Sequence, residues 1–145
     1  MPKPRGLAHR ELLCEEVTGT TINGFHLTYD RLGFGFLEVI YRRALAMELR
    51  AFGLRVVEEA PIDVWYGGVR IGHYRADLLV ENRVVVEIKT RRALGDADRK
   101  QLLNCLRASD IEVGLLLLYG PSPVFKRLVF ENSRKASSVA QFQRR

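Results

Sequence analysis

The chain has 145 residues, 47% hydrophobic and 28% charged, with a formal net charge of +6. This is enough for one domain with its own core, and the composition excludes a disordered or fibrous class. Cys14 and Cys105 are too few for a disulfide framework or a paired metal-ligand pattern, which points to a reducing cytoplasm, and no stretch has the length and apolarity of a membrane span or signal peptide.

The basic excess lies mainly in the last third, at Lys126, Arg127, Arg134, Lys135, Arg144 and Arg145. A polyanionic partner fits this balance, and so does a plain solvated surface with a basic tail. A single domain is expected over 1–145, with flexible ends at 1–8 and 132–145. His9–Val17 has helical spacing, but the β-branched stretch Thr18–Asn23, interrupted by Gly19, weakens the helix there. Leu32–Gly35 reads as a turn. Phe36–Phe52 has the strongest helical pattern, and Gly53 is a natural stop. Leu37, Ile40, Ala44, Met47 and Ala51 form its expected inward stripe, widened by Tyr41, Leu45, Leu49 and Phe52. Glu38 falls three, seven and eleven residues before Tyr41, Leu45 and Leu49, on an otherwise apolar face. It is either a first-turn acid favoured by the helix dipole or a carboxylate aimed inward at a metal.

Leu54–Val57 and Pro61–Tyr66 read as extended, Gly67-Gly68 as a type I′ turn, and Val69–Tyr74 as the returning strand. Trp65 and Tyr66 are expected to pack on the sheet rather than stack on bases. Tyr74–Thr90 follows as two strands joined at Glu81-Asn82-Arg83. With the turn centred on Asn82, residue 80 pairs with 84, and the same register sets Asp77 opposite Glu87, their Cβ atoms roughly 5 Å apart. Glu87 and Lys89 share a strand face. Two opposed carboxylates near Leu79, Val85 and Val86 cost stability unless a cation lies between them. Asp96 is the expected N-cap of a helix over Ala97–Ala108, with Leu102, Leu103 and Leu106 inward. Glu112–Tyr119 reads as a buried strand, placed parallel to the hairpin's second strand by the helical crossover. Val124–Phe130 is an edge strand, and the polar remainder from Glu131 reads as loose. The element order is α/β, a mixed sheet with helices on both faces.

The pattern of Asp77, Glu87 and Lys89 on a hairpin resembles the PD-(D/E)XK superfamily of restriction-endonuclease-like nucleases. Gly35, Glu38 and Tyr41 fit the signature of one bacterial branch, the GxxExxY proteins. The resemblance runs from about Leu32 to Tyr119. It implies a restriction-endonuclease-like sandwich with core order αβββαβ and an extra N-terminal helix. It also implies a phosphodiesterase that cuts nucleic acid, DNA before RNA, using Mg²⁺ or Mn²⁺. Asp77, Glu87, Glu38 and the Ile88 carbonyl would hold the metal, Lys89 would assist the attacking water, and Gln101 matches a glutamine of the RecB-like branch. That branch places a tyrosine four residues on, where this chain has Cys105. Tyr29 stands where the family carries a histidine, so that histidine's role does not carry over.

Each residue also has a plainer reading. Lys89 could be a salt-bridge partner of Glu87 or Asp77. Arg75 could hold a phosphate or screen the carboxylates, and Tyr41, Lys126 and Arg127 are candidate nucleic-acid contacts. His73 reads as a strand histidine, and Cys105 has no paired base to make it a nucleophile. The alternative function is a non-catalytic module, on the same fold, that binds nucleic acid or a partner. A homodimer is compatible with the fold, but no residue marks an interface.

Overall fold

In the computed structural model, residues 5–135 are described, with side chains from Cys14 onward. Of the ends expected to be flexible, 1–8 and 132–145, residues 1–4 and 136–145 lie outside the described residues. The elements are α1 (Arg5–Leu32), α2 (Glu38–Ala51), β1 (Val56–Tyr66), β2 (Val69–Val80), β3 (Val84–Lys89), α3 (Asp96–Arg107), β4 (Val113–Tyr119) and β5 (Pro123–Val129). The strands form one sheet in sequence order. Neighbours are antiparallel except β3 and β4, which are parallel across the α3 crossover, as the sequence implies. This is the expected αβββαβ core, preceded by α1 and closed by the edge strand β5.

α1 departs from expectation by running unbroken through Thr18–Asn23, and it begins before His9. The threonine hydroxyls return to the helix's own carbonyls, Thr18 to Glu15 at 3.0 Å and Thr21 to Val17 at 2.7 Å. Val17, Thr21, Phe25 and Thr28 are buried at near-helical spacing. A Cβ on Gly24 would lie 3.0 Å from Leu49 and 3.1 Å from Leu45, so this glycine admits α2. Tertiary packing here outweighs weak helix propensity.

α2 ends at the expected stop, where Gly53 has φ +88°. Its buried stripe, however, is Tyr41, Leu45 and Leu49 with Ala46, while Leu37, Ile40, Met47 and Phe52 are exposed. The two extended segments of 54–66 merge into β1. At its tip the Gly67-Gly68 turn has positive φ at both residues, as a type I′ hairpin requires. Tyr66 is largely exposed, which corrects its reading as a packing residue.

Two apolar layers sandwich the sheet. α1 and α2 cover Leu78, Val80, Val84, Val86, Ile88, Leu115 and Leu117. α3 covers Ala76, Val85 and Leu116. A Cβ on Gly114 would meet Leu102 at 2.9 Å, so its absence lets α3 settle on β4. Gly95, not Asp96, is the N-cap of α3, and Asp98 reaches back to accept the Gly95 N–H at 2.9 Å. After β5, Asn132–Arg134 forms a 3₁₀ turn. Lys135 Nζ donates to the carbonyls of Ser109 and Ile111 at 2.7 and 2.9 Å, so 131–135 is not the loose segment expected from its polarity.

Candidate active site

The hairpin has the expected register. Val80 pairs with Val84, Leu79 with Val85 and Leu78 with Val86, around a turn of three residues in which Glu81 and Asn82 have positive φ. The ladder stops one pair short of Asp77 and Glu87. In its place, Asp77 Oδ2 accepts the Ile88 N–H at 2.7 Å. The face alternation of β2 breaks here too. Ala76 belongs to the α3 layer and Leu78 to the α1–α2 layer, although residues two apart in a regular strand share a face. On β1, Glu59 has φ +49° and interrupts the pairing between Glu58↔Leu78 and Ala60↔Ala76. The kink frees Asp77 from the ladder and turns its carboxylate along the sheet toward β3.

Four charged side chains converge around the kink. Glu87 is 6% exposed, and its Oε1 is buried with no hydrogen-bond partner. Burial, then the charge of Asp77, push its carboxyl up to about 8, against the pull of the Tyr74 hydroxyl and Lys89. Burial also raises Asp77, opposed by the Ile88 N–H, Lys89 and Arg42. Glu38 is raised by burial and by Asp77, opposed by Lys89, Arg91 and Arg42, so the helix acid lies within electrostatic range of the nearer strand acid. The acids are thus drawn together in a partly dry place with too little positive charge to ionise them all.

Among the described residues, no three His, Cys, Asp or Glu side chains are already grouped as a cation-binding set. The donor chemistry nevertheless fits a hard divalent cation. The side-chain donors are all oxygen, two of the acids adjoin, and one buried oxygen lacks a partner. An unsatisfied buried carboxylate oxygen costs upwards of about 1–3 kcal/mol, and a cation would relieve it.

The structure brings together Asp77, Glu87 and Lys89, with Glu38 of α2 within electrostatic range of Asp77 and Lys89. Ile88 contributes only backbone, since its side chain is fully buried. Gln101 is exposed on α3, one turn before Cys105, and Cys105 lies close enough to Glu87 for that charge to raise its thiol. The buried thiol, up to about 12, is no nucleophile. Arg75 is exposed and pairs with Pro61. Arg75 precedes Asp77 by two residues, a spacing that in a regular strand would share a face, but the alternation breaks here. Tyr41 is corrected outright as a nucleic-acid contact. It is fully buried, donates to the Gly33 carbonyl at 2.5 Å and accepts the Phe36 N–H at 3.2 Å. Lys126 and Arg127 line an open groove of about 430 Å³ with Leu94, Gly95, Asp96 and Arg99. Lys126 is in the cross-sheet row Glu87–Leu116–Lys126, two strands and about 10 Å from Glu87.

Sequence reasoning missed Arg42, Arg91 and Tyr74. Arg42 is one helical turn after Glu38, and it also pairs with Glu59 at 3.0 Å, opposite the kink. That i, i+4 spacing was visible. Arg91 joins Asp98 at 2.9 Å in the loop after β3. Tyr74 reaches Glu87 across the kink, which no strand register would show.

The fold and site define an α/β sandwich of nuclease architecture, with two acids and a lysine at the end of its central hairpin. The family model of the PD-(D/E)XK nuclease superfamily matches residues 15–128, and the chain belongs to that superfamily. No curated protein and no solved structure matches the chain. No helix among the described residues is long and apolar enough to cross a membrane.

Proposed function

We propose that the protein is a divalent-metal-dependent phosphodiesterase that hydrolyses nucleic acid, DNA before RNA, and is of the GxxExxY kind. The observation that carries this reading is Glu87: a buried carboxylate with an unpartnered oxygen, beside a second acid and a lysine. Asp77, Glu87, Glu38 and the Ile88 carbonyl would hold Mg²⁺ or Mn²⁺. Such an ion, when bound, neutralises the phosphate, acidifies a water and stabilises the leaving oxygen. The Ile88 N–H fixes one oxygen of Asp77, so the carboxylate is oriented before substrate arrives. Lys89 orients the attacking water or holds the charge developing on the phosphate. Arg42 and Arg91 offset the acids from the helix and loop sides. Superfamily membership and the net basic charge support a nucleic-acid partner.

The test is Mg²⁺-dependent cleavage of plasmid and single-stranded DNA by the wild type and by Lys89→Ala, with Mn²⁺ calorimetry alongside. Cleavage that stops in the variant, with Mn²⁺ still bound, is expected. Cleavage that survives Lys89→Ala, or no binding of Mn²⁺ by the wild type, sinks the reading in favour of a binding module.

A further inference from the structure

The loop Gly33–Leu37, between α1 and α2, leaves three large apolar side chains in water directly before a site acid. Phe34 is 50% exposed, Phe36 47% and Leu37 75%. Single exposed apolar residues need no explanation, but three within four positions form a patch. This patch is held in a defined shape. Gly33 and Gly35 have φ of +71° and +120°, which side-chain-bearing residues rarely adopt. Tyr41, fully buried, grips both sides of the loop through Gly33 and Phe36, and its ring stacks on Tyr119 at 4.0 Å. Tyr119 in turn is hydrogen-bonded to Thr28 at 2.8 Å, so the loop is anchored to α1, α2 and β4 together. The Gly35, Glu38 and Tyr41 spacing thereby gains a physical meaning. The glycine shapes the loop, the tyrosine clamps it, and the glutamate enters the site from its end.

Leu37 precedes Glu38 directly, and chain geometry keeps the Cα of Phe36 within about 7 Å, and that of Phe34 within about 14 Å, of the Cα of Glu38. These spans from the Glu38 backbone are on the scale of one to two nucleotides, roughly 7 Å each. Two cations act on the site acids at the end of this loop, Arg42 and Lys89. An apolar patch beside a site proposed to take a phosphate suits a ligand with charge on its backbone and flat apolar faces. A paired base keeps its faces inside the duplex, whereas an unpaired base offers a π-face to an aromatic or aliphatic side chain.

We infer that Phe34, Phe36 and Leu37 form a stacking surface for unpaired bases beside the scissile phosphate, so that the substrate is single-stranded at the cut. This rests on the phosphodiesterase reading for its phosphate, but it can be tested without cleavage. Fluorescence anisotropy of the full chain in EDTA would compare a labelled single strand, a blunt duplex of the same sequence and a single strand with consecutive abasic sites. The wild type should bind the single strand most tightly. Phe34→Ala and Leu37→Ala, which remove the two most exposed side chains without touching the Tyr41 clamp, should each weaken single-strand binding about five- to hundredfold. Both should leave melting temperature and duplex binding unchanged, and the abasic strand should not feel either substitution. Equal losses on all three ligands, no loss on the single strand, or a wild-type dimer in sedimentation that the variants dissolve would overturn the inference. If the binding pattern holds while the wild type cleaves nothing, the stacking surface stands and the nuclease reading alone fails.

Discussion

β3 shows two kinds of surface on six residues. Val84, Val86 and Ile88 point to α1 and α2 and are fully buried among apolar side chains. Val85, Glu87 and Lys89 point to the other side, where Val85 joins the α3 layer and the next two residues are charged. The first face stabilises the fold, by about 1.5–3 kcal/mol for each fully buried aliphatic side chain. The second holds an acid whose ionisation is opposed by burial, and that costs stability. Adjacent residues thus serve opposite ends, and substitutions at neighbouring positions should separate stability from activity.

The largest expected effect is on activity. Lys89→Ala should slow cleavage about 10²- to 10⁴-fold, the usual range for a positioned proton-handling group. Its melting temperature should stay close to that of the wild type, and a melt that collapses would make Lys89 a stability residue. One position away, Ile88→Ala should cost about 2–5 kcal/mol in denaturant unfolding, because it empties a fully buried site. The Ile88 N–H would still hold Asp77, so the protein that remains folded should keep most of its rate per molecule. Tyr41→Phe should cost about 1–3 kcal/mol, since the Gly33 carbonyl and Phe36 N–H lose their buried partner. Hydrogen exchange should rise over 33–37 in that variant.

The smallest effect is a slope. Glu87 holds its proton more tightly in the folded chain, up to about 8, than in the unfolded chain, where an ordinary carboxylate applies. Between those values the folded state binds the extra proton, so stability should fall as pH rises through the window. Melting temperatures from pH 5 to 8 should decline in EDTA, decline less with Mn²⁺, and flatten in Glu87→Gln. A wild-type curve that rises over the same range would contradict the burial argument.

The two faces also differ in how far they could be read beforehand. Val84, Val86 and Ile88 alternate plainly, and the turn at 81–83 sets the register that carries Asp77 toward Glu87. The parallel β3–β4 pairing followed from the crossover rule, and α2 stopped at Gly53 as expected. The inward stripe of α2 was read too wide, because apolar residues on both sides of Tyr41, Leu45 and Leu49 hide which part is buried. Only contact with Gly24 of α1 selects Leu45 and Leu49. α1 was cut short because Gly19 and the threonines count against a helix until hydroxyl back-bonding and burial are included. Tyr41 had two readings, part of the inward stripe and a nucleic-acid contact; burial settles on the first, and nothing in its neighbours announces the ring stack on Tyr119, 78 positions on.

From the amino-acid order alone came the element types, the hairpin register and the identities of the two acids and the lysine. These depend on local periodicity and turn chemistry, which act over a few residues. Tertiary structure alone decided that β2 kinks at Asp77 against Glu59, that Glu38 and Arg42 come from a helix into electrostatic range of Asp77, and that the Tyr41 hydroxyl holds a loop. Those outcomes depend on which surfaces meet, and they are settled by close packing between segments far apart in the chain.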